Sequence, residues 1–303
     1  MSTRPEAGDG PDRASSSRRI VTVRPGRADA REDLLAGEEP LAIRVAGPGQ
    51  VPTDVAITMR TRGHDEELAV GFLVSEGLVA PADVVAVEVG DPSSTALPEN
   101  ELVVRLRHAF DASTVTARAF VASASCGICG KASLDDVVLR CNPLPAGPVV
   151  ASGVLLRLPE ALRAGQAVFA RTGGLHAAGL FDPSGQLLAL REDVGRHNAL
   201  DKLVGAAALS GELPLHGRLL LVSGRVSFEI VQKAAVAGIP IVAAISAPTD
   251  LAVDAARRLS MTLIGFLRGD GFNVYTGEER VALGESVGRT PEVERAPEIG
   301  RTR

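Results

Sequence analysis

The stretch RLLLVSGRVSFEIVQKAAVAGIPIVAAIS, residues 218–246, decides the fold of this chain. It begins with the apolar run Arg218–Val222, turns, and continues as a helical pattern over Ser227–Ala237 that Gly238 closes. A second apolar run, Ile239–Ile245, follows at once. A strand, a helix and a strand joined by such short turns predict a layered α/β unit with much of its sheet parallel.

The same alternation continues in both directions from this stretch, between about residues 156 and 267. It predicts helices over Leu158–Arg171, Gly195–Leu209 and Thr249–Leu259, and strands over Leu175–Phe181, Gln186–Leu190 and Met261–Leu267. Upstream, short Val- and Ile-rich runs predict strands over Arg19–Arg24, Leu41–Ala46, Val55–Thr58, Val84–Val89, Leu102–Leu106 and Val115–Val121. One helix, with the acidic first turn Asp65-Glu66-Glu67, interrupts these strands.

These patterns divide the chain into five segments. We expect disordered tails at 1–18 and 281–303, because both lack hydrophobic periodicity. Between the tails we expect a strand-rich N-terminal domain at 19–122, a loop and helix with two cysteines at 123–145, and an α/β domain at 146–280.

Composition excludes several classes of protein. The net charge is -5, there is no Trp and only one Tyr, so a general nucleic-acid-binding surface is not expected. The longest apolar stretch, about Ile239–Ala247, is too short to span a membrane, and Met1–Arg19 has no apolar run typical of a signal peptide. Three cysteines are too few for a secreted disulfide framework, which predicts a cytoplasmic protein.

Two of the cysteines form a CxxC pair within SCGICGK, residues 125–131. The flanking glycines allow a tight turn and a close approach to another group. Lys131 and a helix-like stretch that follows should favour the thiolate, which is the form that attacks sulfur. Cys126 or Cys129 could therefore carry a sulfane sulfur while the other cysteine helps to release it by forming a disulfide.

Three other interpretations of the pair stay open. A structural zinc site would need Cys141 and a histidine to complete four ligands, since there is no second CxxC. A thioredoxin-like redox pair would lie at the first strand–helix turn of a compact βαβ domain. The pair could also be two buried structural thiols, and Cys141 itself is typical of a helix-end or core thiol. We favour sulfur chemistry without a metal.

Four turns in the C-terminal unit combine glycine with Arg, His or Asp. They are residues 172–176, 191–198, 223–229 and 268–271. In α/β sheets ligands bind at the ends of strands, and the N-termini of helices there favour phosphate. Recurrence of such turns at successive strand ends predicts a pocket for anionic groups and a purine edge.

Together these motifs are similar to those of one family. SCGICGK (125–131), TGGLHAA (172–178), REDVGRHNALDK (191–202), SGRVSFE (223–229) and SAPT (246–249) occur in this order, and EELAVGFLVSEG (66–77) fits an early helix. The chain resembles the formate dehydrogenase accessory sulfurtransferase family, often called FdhD, over about residues 19–277.

The resemblance implies a cytidine-deaminase-like fold for the C-terminal domain. It also implies a persulfide on Cys126 with Cys129 as its partner, a cysteine desulfurase as donor, and a formate dehydrogenase as client. The acceptor would be the molybdenum bis-molybdopterin guanine dinucleotide cofactor, whose pocket GDP-like nucleotides could share. We expect that pocket to contain Phe266, Leu267, Arg268, Gly269, Asp270, Gly271, Asp193, His197, Ser223, Arg225 and Ser227.

The sequence therefore predicts a sulfurtransferase, working as a homodimer because a two-fold cofactor suits a two-fold protein. Two alternatives stay open. A thiol–disulfide oxidoreductase would cycle a disulfide and need no nucleotide pocket. A non-catalytic chaperone would bind the cofactor without carrying sulfur.

Overall fold

The C-terminal part of the chain is built on a mixed six-stranded sheet. The computed structural model describes residues 14–93, 97–115 and 142–284. The strands are β8 (His176–Phe181), β9 (Leu187–Asp193), β10 (Leu219–Val222), β11 (Ile241–Ala244), β12 (Thr262–Arg268) and β13 (Gly271–Thr276). Their order is β13-β12-β11-β10-β8-β9. Only the β10–β11 and β11–β12 pairings are parallel, so the sheet is less parallel than expected.

Helices cover both faces of this sheet. They are α2 (Ser152–Gly165), α3 (Ala167–Thr172), α4 (Arg196–Leu209), α5 (Phe228–Val236) and α6 (Asp250–Arg258). Strand side chains alternate between two hydrophobic clusters: Leu220 and Val242 face α4, α5 and α6, whereas Leu219 and Ile241 face α2. The strands are therefore buried on both sides, which explains their continuous apolar runs.

A second, four-stranded sheet forms the N-terminal part. Its strands are β3 (Glu39–Ala46), β4 (Thr53–Arg60), β5 (Val84–Val89) and β6 (Glu101–Leu106), in the order β4-β3-β6-β5. Helix α1 (Asp65–Ser75) follows β4. The same hydrophobic cluster contains Leu41 and Ile43 of β3 together with Leu200 and Leu203 of α4. The two parts of the chain thus share one core.

Helices α1 and α4 cross at van der Waals contact of their backbones. A Cβ placed on Gly71 would overlap the backbone carbonyl of Asp201, and a Cβ on Gly205 would overlap that of Glu67. Glycine is required at both positions, because any larger residue would push the helices apart. This crossing is the centre of the junction between the two parts.

The first two strands form a ribbon. Strands β1 (Ser15–Arg24) and β2 (Arg27–Ala36) pair antiparallel over their whole length and belong to neither larger sheet. The turn contains Gly26 with a φ of 75°, a conformation that favours glycine. At the other end, the Thr61 hydroxyl donates to the Gly37 carbonyl at 2.8 Å, which ties the ribbon to the body.

Several boundaries differ from those expected. Strand β1 begins at Ser15 and β14 (Val281–Ala282) pairs with β7 (Val150–Ala151), so both expected tails contribute short ordered pieces. The expected helix 158–171 begins earlier, and a break at Gln166 divides it into α2 and α3. Residues 113–115 are helical rather than extended, while the rest of the expected strand to Val121 lies outside the described residues.

The remaining expected elements are present within a few residues of their expected limits. The α/β C-terminal unit with a strand-rich N-terminal part is confirmed. Within the described residues, no helix has the length and apolar character needed to cross a membrane.

Candidate functional site

One edge of the six-stranded sheet collects the four glycine-bearing turns predicted from the sequence. Strands β9, β10, β11 and β12 end at this edge and β8 begins there, because β8 runs antiparallel to its neighbours and the others run together. The loops after β10 and β11 continue side by side beyond the sheet, where the Val226 N–H donates to the Ala247 carbonyl at 3.2 Å. We call this the strand-end edge.

The turns at this edge fall into two groups. The sheet order places β9 four strand spacings from β12, which corresponds to about 19 Å. One group, at β8, β9 and β10, includes His197 and Ser227. The other, at β11 and β12, includes Phe266 and Arg268. A ligand that reaches from the turn after β9 to the turn after β12 must be elongated.

The first group centres on the N-termini of α4 and α5. The Nε2 of His197 lies 3.2 Å from the Ser227 hydroxyl oxygen and 3.8 Å from a carboxylate oxygen of Glu229. Burial, followed by the positive charge of Arg196, lowers the pKa of His197 to about 4, so this imidazole is neutral at pH 7. Burial would raise the pKa of Glu229, but hydrogen bonds from Ser227 and from its own backbone N–H hold it below the ordinary value.

Arg196 and His176 complete this group. A Cβ on Gly224 would lie 3.2 Å from the Nδ1 of His176 and 3.6 Å from the Cδ of Arg196, so the three residues adjoin. Burial, and then the Arg196 charge, lower the pKa of His176. The Nε of Arg196 is buried and has no hydrogen-bond partner among the residues described here. A guanidinium, a hydroxyl and two neutral imidazoles beside a helix N-terminus suit an anion or a purine edge.

Asp193 is part of the framework behind this group and is not a ligand contact. Its side chain is fully buried, and its carboxylate accepts hydrogen bonds from the backbone N–H of Thr61 and Gly195 and from the Asn198 amide. Lys202 lies 2.8 Å away as its ion-pair partner. Because these partners occupy both carboxylate oxygens, we reassign Asp193 from cofactor binding to positioning the turn that carries His197.

Ser223 and Arg225 have different environments in the β10 turn. The hydroxyl oxygen of Ser223 accepts the Ala177 N–H at 2.9 Å, which fixes the start of the turn against β8. Arg225 is exposed at the strand-end edge. Of these two, Arg225 is the side chain available to a ligand, and Ser223 supports the turn.

The second group centres on the hairpin turn between β12 and β13. The sequence predicted only the end of a strand at this position. Phe266 has a φ of 54°, a left-handed conformation rare for a bulky residue. Its N–H donates to the Ser246 carbonyl at 3.0 Å, and the guanidinium of Arg268 lies 5.4 Å from the centre of its ring. Arg268, Gly269, Asp270 and Gly271 are all exposed.

Leu267 differs from its neighbours in this group. It is fully buried in the hydrophobic cluster against α2, on the face of the sheet that Leu219 and Ile241 share. Leu267 shares this cluster with Ile264, three residues earlier, because the irregular register between Gly265 and Arg268 shifts the strand alternation by one residue. Leu267 is therefore a core residue, which corrects its expected place in the pocket.

Cys126, Cys129 and Cys141 lie outside the described residues. Just after Cys141 in the sequence, the Leu144 N–H donates to the Leu259 carbonyl at 2.9 Å. Leu259 follows α6 and lies at the edge of the sheet opposite the strand-end edge. That opposite edge also holds an open cleft of about 480 Å³ between Ser260, Tyr275 and Arg280.

A buried ionic network that the sequence analysis missed lies directly behind the first group. The Nζ of Lys233 lies 2.9 Å from the Asp201 carboxylate, 2.9 Å from the Ser75 hydroxyl and 2.7 Å from Glu76. Burial would lower the pKa of Lys233, but Asp201 and Glu76 raise it above the ordinary value. The network joins α1, α4 and α5, and so holds the helix that begins beside Ser227.

A further ion pair joins the two parts of the chain. Arg191 binds both carboxylate oxygens of Glu67, with 2.7 Å between Nη2 and Oε1. Burial would raise the pKa of Glu67, but the hydrogen bonds from Arg191 and His64 lower it to about 2. The motif 191–202 therefore contributes mostly to this junction. The spacing of its residues in the sequence did not indicate which side chains face inward.

Comparison with known proteins identifies the family. The profile of the FdhD/NarQ family matches residues 36–282. The chain is 49% identical over 278 residues to "Sulfur carrier protein FdhD" of Streptomyces avermitilis, covering 89% of this chain and 97% of that protein. Its identity to the protein of the same name from Mycobacterium tuberculosis is 47%, covering 88% of this chain and 99% of that protein.

A solved structure has the same fold. It is the crystal structure of a protein from Desulfotalea psychrophila, provisionally assigned as a formate dehydrogenase accessory protein. The TM-score is 0.69 at 24% identity, covering 89% of this chain and 100% of that one. The match to the family profile and the identity to these relatives, over nearly the whole chain, lead to one conclusion: this chain belongs to the FdhD/NarQ family.

Proposed function

We propose that this protein is a sulfurtransferase that serves a formate dehydrogenase. It carries a persulfide on Cys126, with Cys129 as its partner, and passes the sulfur to the molybdenum bis-molybdopterin guanine dinucleotide cofactor. The name of its relatives, sulfur carrier protein, supports sulfur transfer. The observation that supports the acceptor site is the assembly of four polar, glycine-bearing turns at one edge of a single sheet.

The two cysteines alone can supply the electrons that release the sulfur. A cysteine desulfurase would leave a sulfane sulfur on Cys126 as Cys126–S–SH. The thiolate of Cys129 would attack the Sγ of Cys126, breaking the S–S bond and forming the Cys126–Cys129 disulfide. The terminal sulfur leaves as sulfide. The two electrons that reduce it come from the two cysteine sulfurs, which are oxidised to the disulfide. A dithiol reductant would then restore both thiols.

The residues at the strand-end edge fit an elongated anionic acceptor. The exposed arginines Arg225 and Arg268 provide positive charge in the two groups, and the N-terminus of α5 provides backbone donors beside Ser227. The Phe266 ring, with Arg268 over it, provides a flat surface for a base. The span of about 19 Å from the turn after β9 to the turn after β12 suits a dinucleotide better than a mononucleotide.

The proposed protein works with a sulfur donor and a client enzyme. A cysteine desulfurase supplies the sulfur and a formate dehydrogenase receives the finished cofactor. The protein acts in the cytoplasm, where its thiols stay reduced, and as a homodimer. No zinc is involved, because the pair acts as a sulfur carrier and not as a metal ligand set.

Mass spectrometry tests the sulfur carrier directly. After incubation with a cysteine desulfurase and cysteine, the intact protein should gain the mass of one sulfur atom, and peptide mapping should place it on Cys126 or Cys129. Cys126→Ala should abolish transfer, and Cys141→Ala is the matched control that should load normally. Modification of Cys141 alone would contradict the proposal.

Calorimetry with GDP tests the acceptor site. GDP should bind the wild-type protein and the Cys126→Ala/Cys129→Ala variant equally. Arg268→Ala should weaken binding by about 1–3 kcal/mol, because a charge-assisted contact to phosphate is lost. Arg257→Ala is the control, since Arg257 is a well exposed arginine outside the strand-end edge. Persulfide loading should be unchanged in both arginine variants. Absence of GDP binding by the wild-type protein would refute the pocket.

A further inference from the structure

The turn after β10 brings a cation and an anion together at the strand-end edge. The Arg196 side chain lies along the start of this turn, since a Cβ on Gly224 would lie 3.6 Å from its Cδ. Glu229 lies at the end of the turn, in the first helical turn of α5. Arg196 is near enough to lower the pKa of Glu229, yet within the described part of the chain no salt bridge joins the two side chains. A ligand that pairs with both charges therefore has room between them.

Glu229 is held in place and still accessible. Ser227 donates its hydroxyl proton to the Glu229 carboxylate, which also accepts the backbone N–H of Glu229 itself. Because that proton is used, the Ser227 oxygen accepts from His197, whose Nε2 lies 3.2 Å away. The Glu229 side chain is 39% exposed. A carboxylate accepts about four hydrogen bonds, so Glu229 keeps acceptor positions for a ligand.

Arg196 supplies the complementary donor. Its Nε is buried and finds no acceptor among the residues that the structure describes. A buried donor without an acceptor costs free energy, so a ligand that offers an acceptor atom to Arg196 is favoured. The site thus presents a donor on one side and an ionised acceptor on the other.

The charge of Glu229 decides which part of a nucleotide fits between them. The N-terminus of α5 by itself would attract a phosphate. The Glu229 carboxylate beside it already offsets the positive end of the helix and would repel a second anion. A neutral base that offers N–H donors to the carboxylate meets no such repulsion. We therefore assign this turn to a base and not to a phosphate.

Among the purines, guanine matches the arrangement of donor and acceptor. Its Watson–Crick edge has an acceptor, O6, followed by two donors, N1–H and the N2 amine. One carboxylate can accept from both donors while a guanidinium donates to O6. Adenine has a donor at N6 and an acceptor at N1, so its N1 lone pair would face the carboxylate.

The position of the turn also leaves a path for the phosphates. The sheet order places the turn after β10 two strand spacings, about 10 Å, from the turn after β12. One nucleoside diphosphate can span this distance. A base at Glu229 therefore directs its phosphates across β11 towards the exposed Arg268.

We propose that Glu229 accepts hydrogen bonds from N1–H and the N2 amine of a guanine base, and that Arg196 donates to its O6. Glu229 is then the residue that selects guanine, and Ser227 and His197 are positioning residues that hold its carboxylate. The proposal rests on the proposed function, because it assumes that the acceptor bound at this edge carries guanine. It deepens that function by naming the residues that recognise the base.

Calorimetry with three nucleotides tests the selection on the wild-type protein. Inosine diphosphate lacks only the N2 amine and should bind about tenfold more weakly than GDP. ADP should bind about 100-fold more weakly or worse, because its N1 faces the carboxylate. Equal affinity for GDP and ADP overturns the base recognition and leaves the acceptor site standing. Absence of GDP binding refutes the acceptor site as well, and neither result bears on sulfur transfer.

Xanthosine diphosphate tests Glu229 itself. Xanthine has a carbonyl oxygen in place of the N2 amine, and a glutamine amide can donate to this oxygen. Glu229→Gln should therefore bind GDP about 100-fold more weakly and xanthosine diphosphate more tightly than the wild-type protein, a gain that a loss of structure cannot produce. Asp250→Asn is the matched control, because it removes an acidic side chain from the first turn of α6 at the same edge. It should keep the wild-type ratio of the two affinities, and the same ratio in Glu229→Gln overturns the assignment.

Discussion

The junction between the two parts of the chain and the strand-end edge contain the same kinds of residue in opposite environments. At the junction, Lys202 and Lys233 are almost completely buried and ion-paired. At the edge, Arg225 and Arg268 are exposed. A buried charge must have a partner inside the protein, whereas an exposed charge is free to meet a ligand. Charge at the junction therefore serves the fold, and charge at the edge is accessible to the ligand that we propose there.

Breaking the helix crossing should have the largest effect. Gly205→Leu should lower the free energy of unfolding by more than about 4 kcal/mol or prevent folding, because its side chain would overlap the backbone of α1. Gly217→Ala is the matched control, since an added methyl group there meets open space. Chemical denaturation of both variants measures the difference. A stable Gly205→Leu protein would contradict the backbone contact.

Removing the buried lysine should have the next largest effect. Lys233→Met leaves the Asp201 carboxylate buried without its cation and should cost about 3–5 kcal/mol of stability. The loss should shrink as the pH falls, because protonation of Asp201 removes the unpaired charge. Urea unfolding at several pH values measures this. The double variant Lys233→Met/Asp201→Asn should recover part of the loss, and no recovery would argue against this ion pair as the source.

The Glu67–Arg191 pair should give a pH-dependent effect of intermediate size. The pKa of Glu67 falls from 4.5 to about 2, so its contribution is complete above pH 4.5 and is lost as the pH falls towards 2. The contribution should be on the order of 3 kcal/mol, at 1.36 kcal/mol per pKa unit. Glu67→Gln should flatten the dependence of stability on pH in this window. The exposed Glu160→Gln should keep the wild-type slope, and equal slopes in both variants would refute the assignment.

Changes at the strand-end edge should have the smallest effect on stability. Arg225→Ala and Arg268→Ala remove exposed side chains and should change the free energy of unfolding by less than about 0.5 kcal/mol. Thermal unfolding without ligand measures this. A loss comparable to that of Lys233→Met would place these arginines in the framework and would remove the contrast between the two regions.

The sequence was sufficient for the α/β alternation because its apolar runs are long and end in glycine or polar turns. It was insufficient for β2, RADAREDLLA, because a ribbon exposed on both faces carries no hydrophobic period. It also gave β12 as the last strand, although the chain returns at once as β13. In both cases the pairing strand, and not the local pattern, determines the structure.

The candidate site shows the same limit at the level of single residues. The turns were correctly predicted to gather at one edge, since the ends of strands that run the same way meet there. The direction of each side chain was not visible, so Asp193 and Leu267 were included although both are fully buried. Lys233 and Glu76 were missed because they meet only when α1 packs against α5.

The glycine contact between α1 and α4 also determines how the molecule can open. Because Gly71 and Gly205 are in backbone contact, no layer of side chains between α1 and α4 could slide. Separation of the two parts therefore costs a large free energy. Their amide hydrogens should then exchange with solvent as one cooperative unit, at the rate of global unfolding. A destabilising change in the N-terminal sheet would consequently raise exchange throughout α4, including the residues that carry His197.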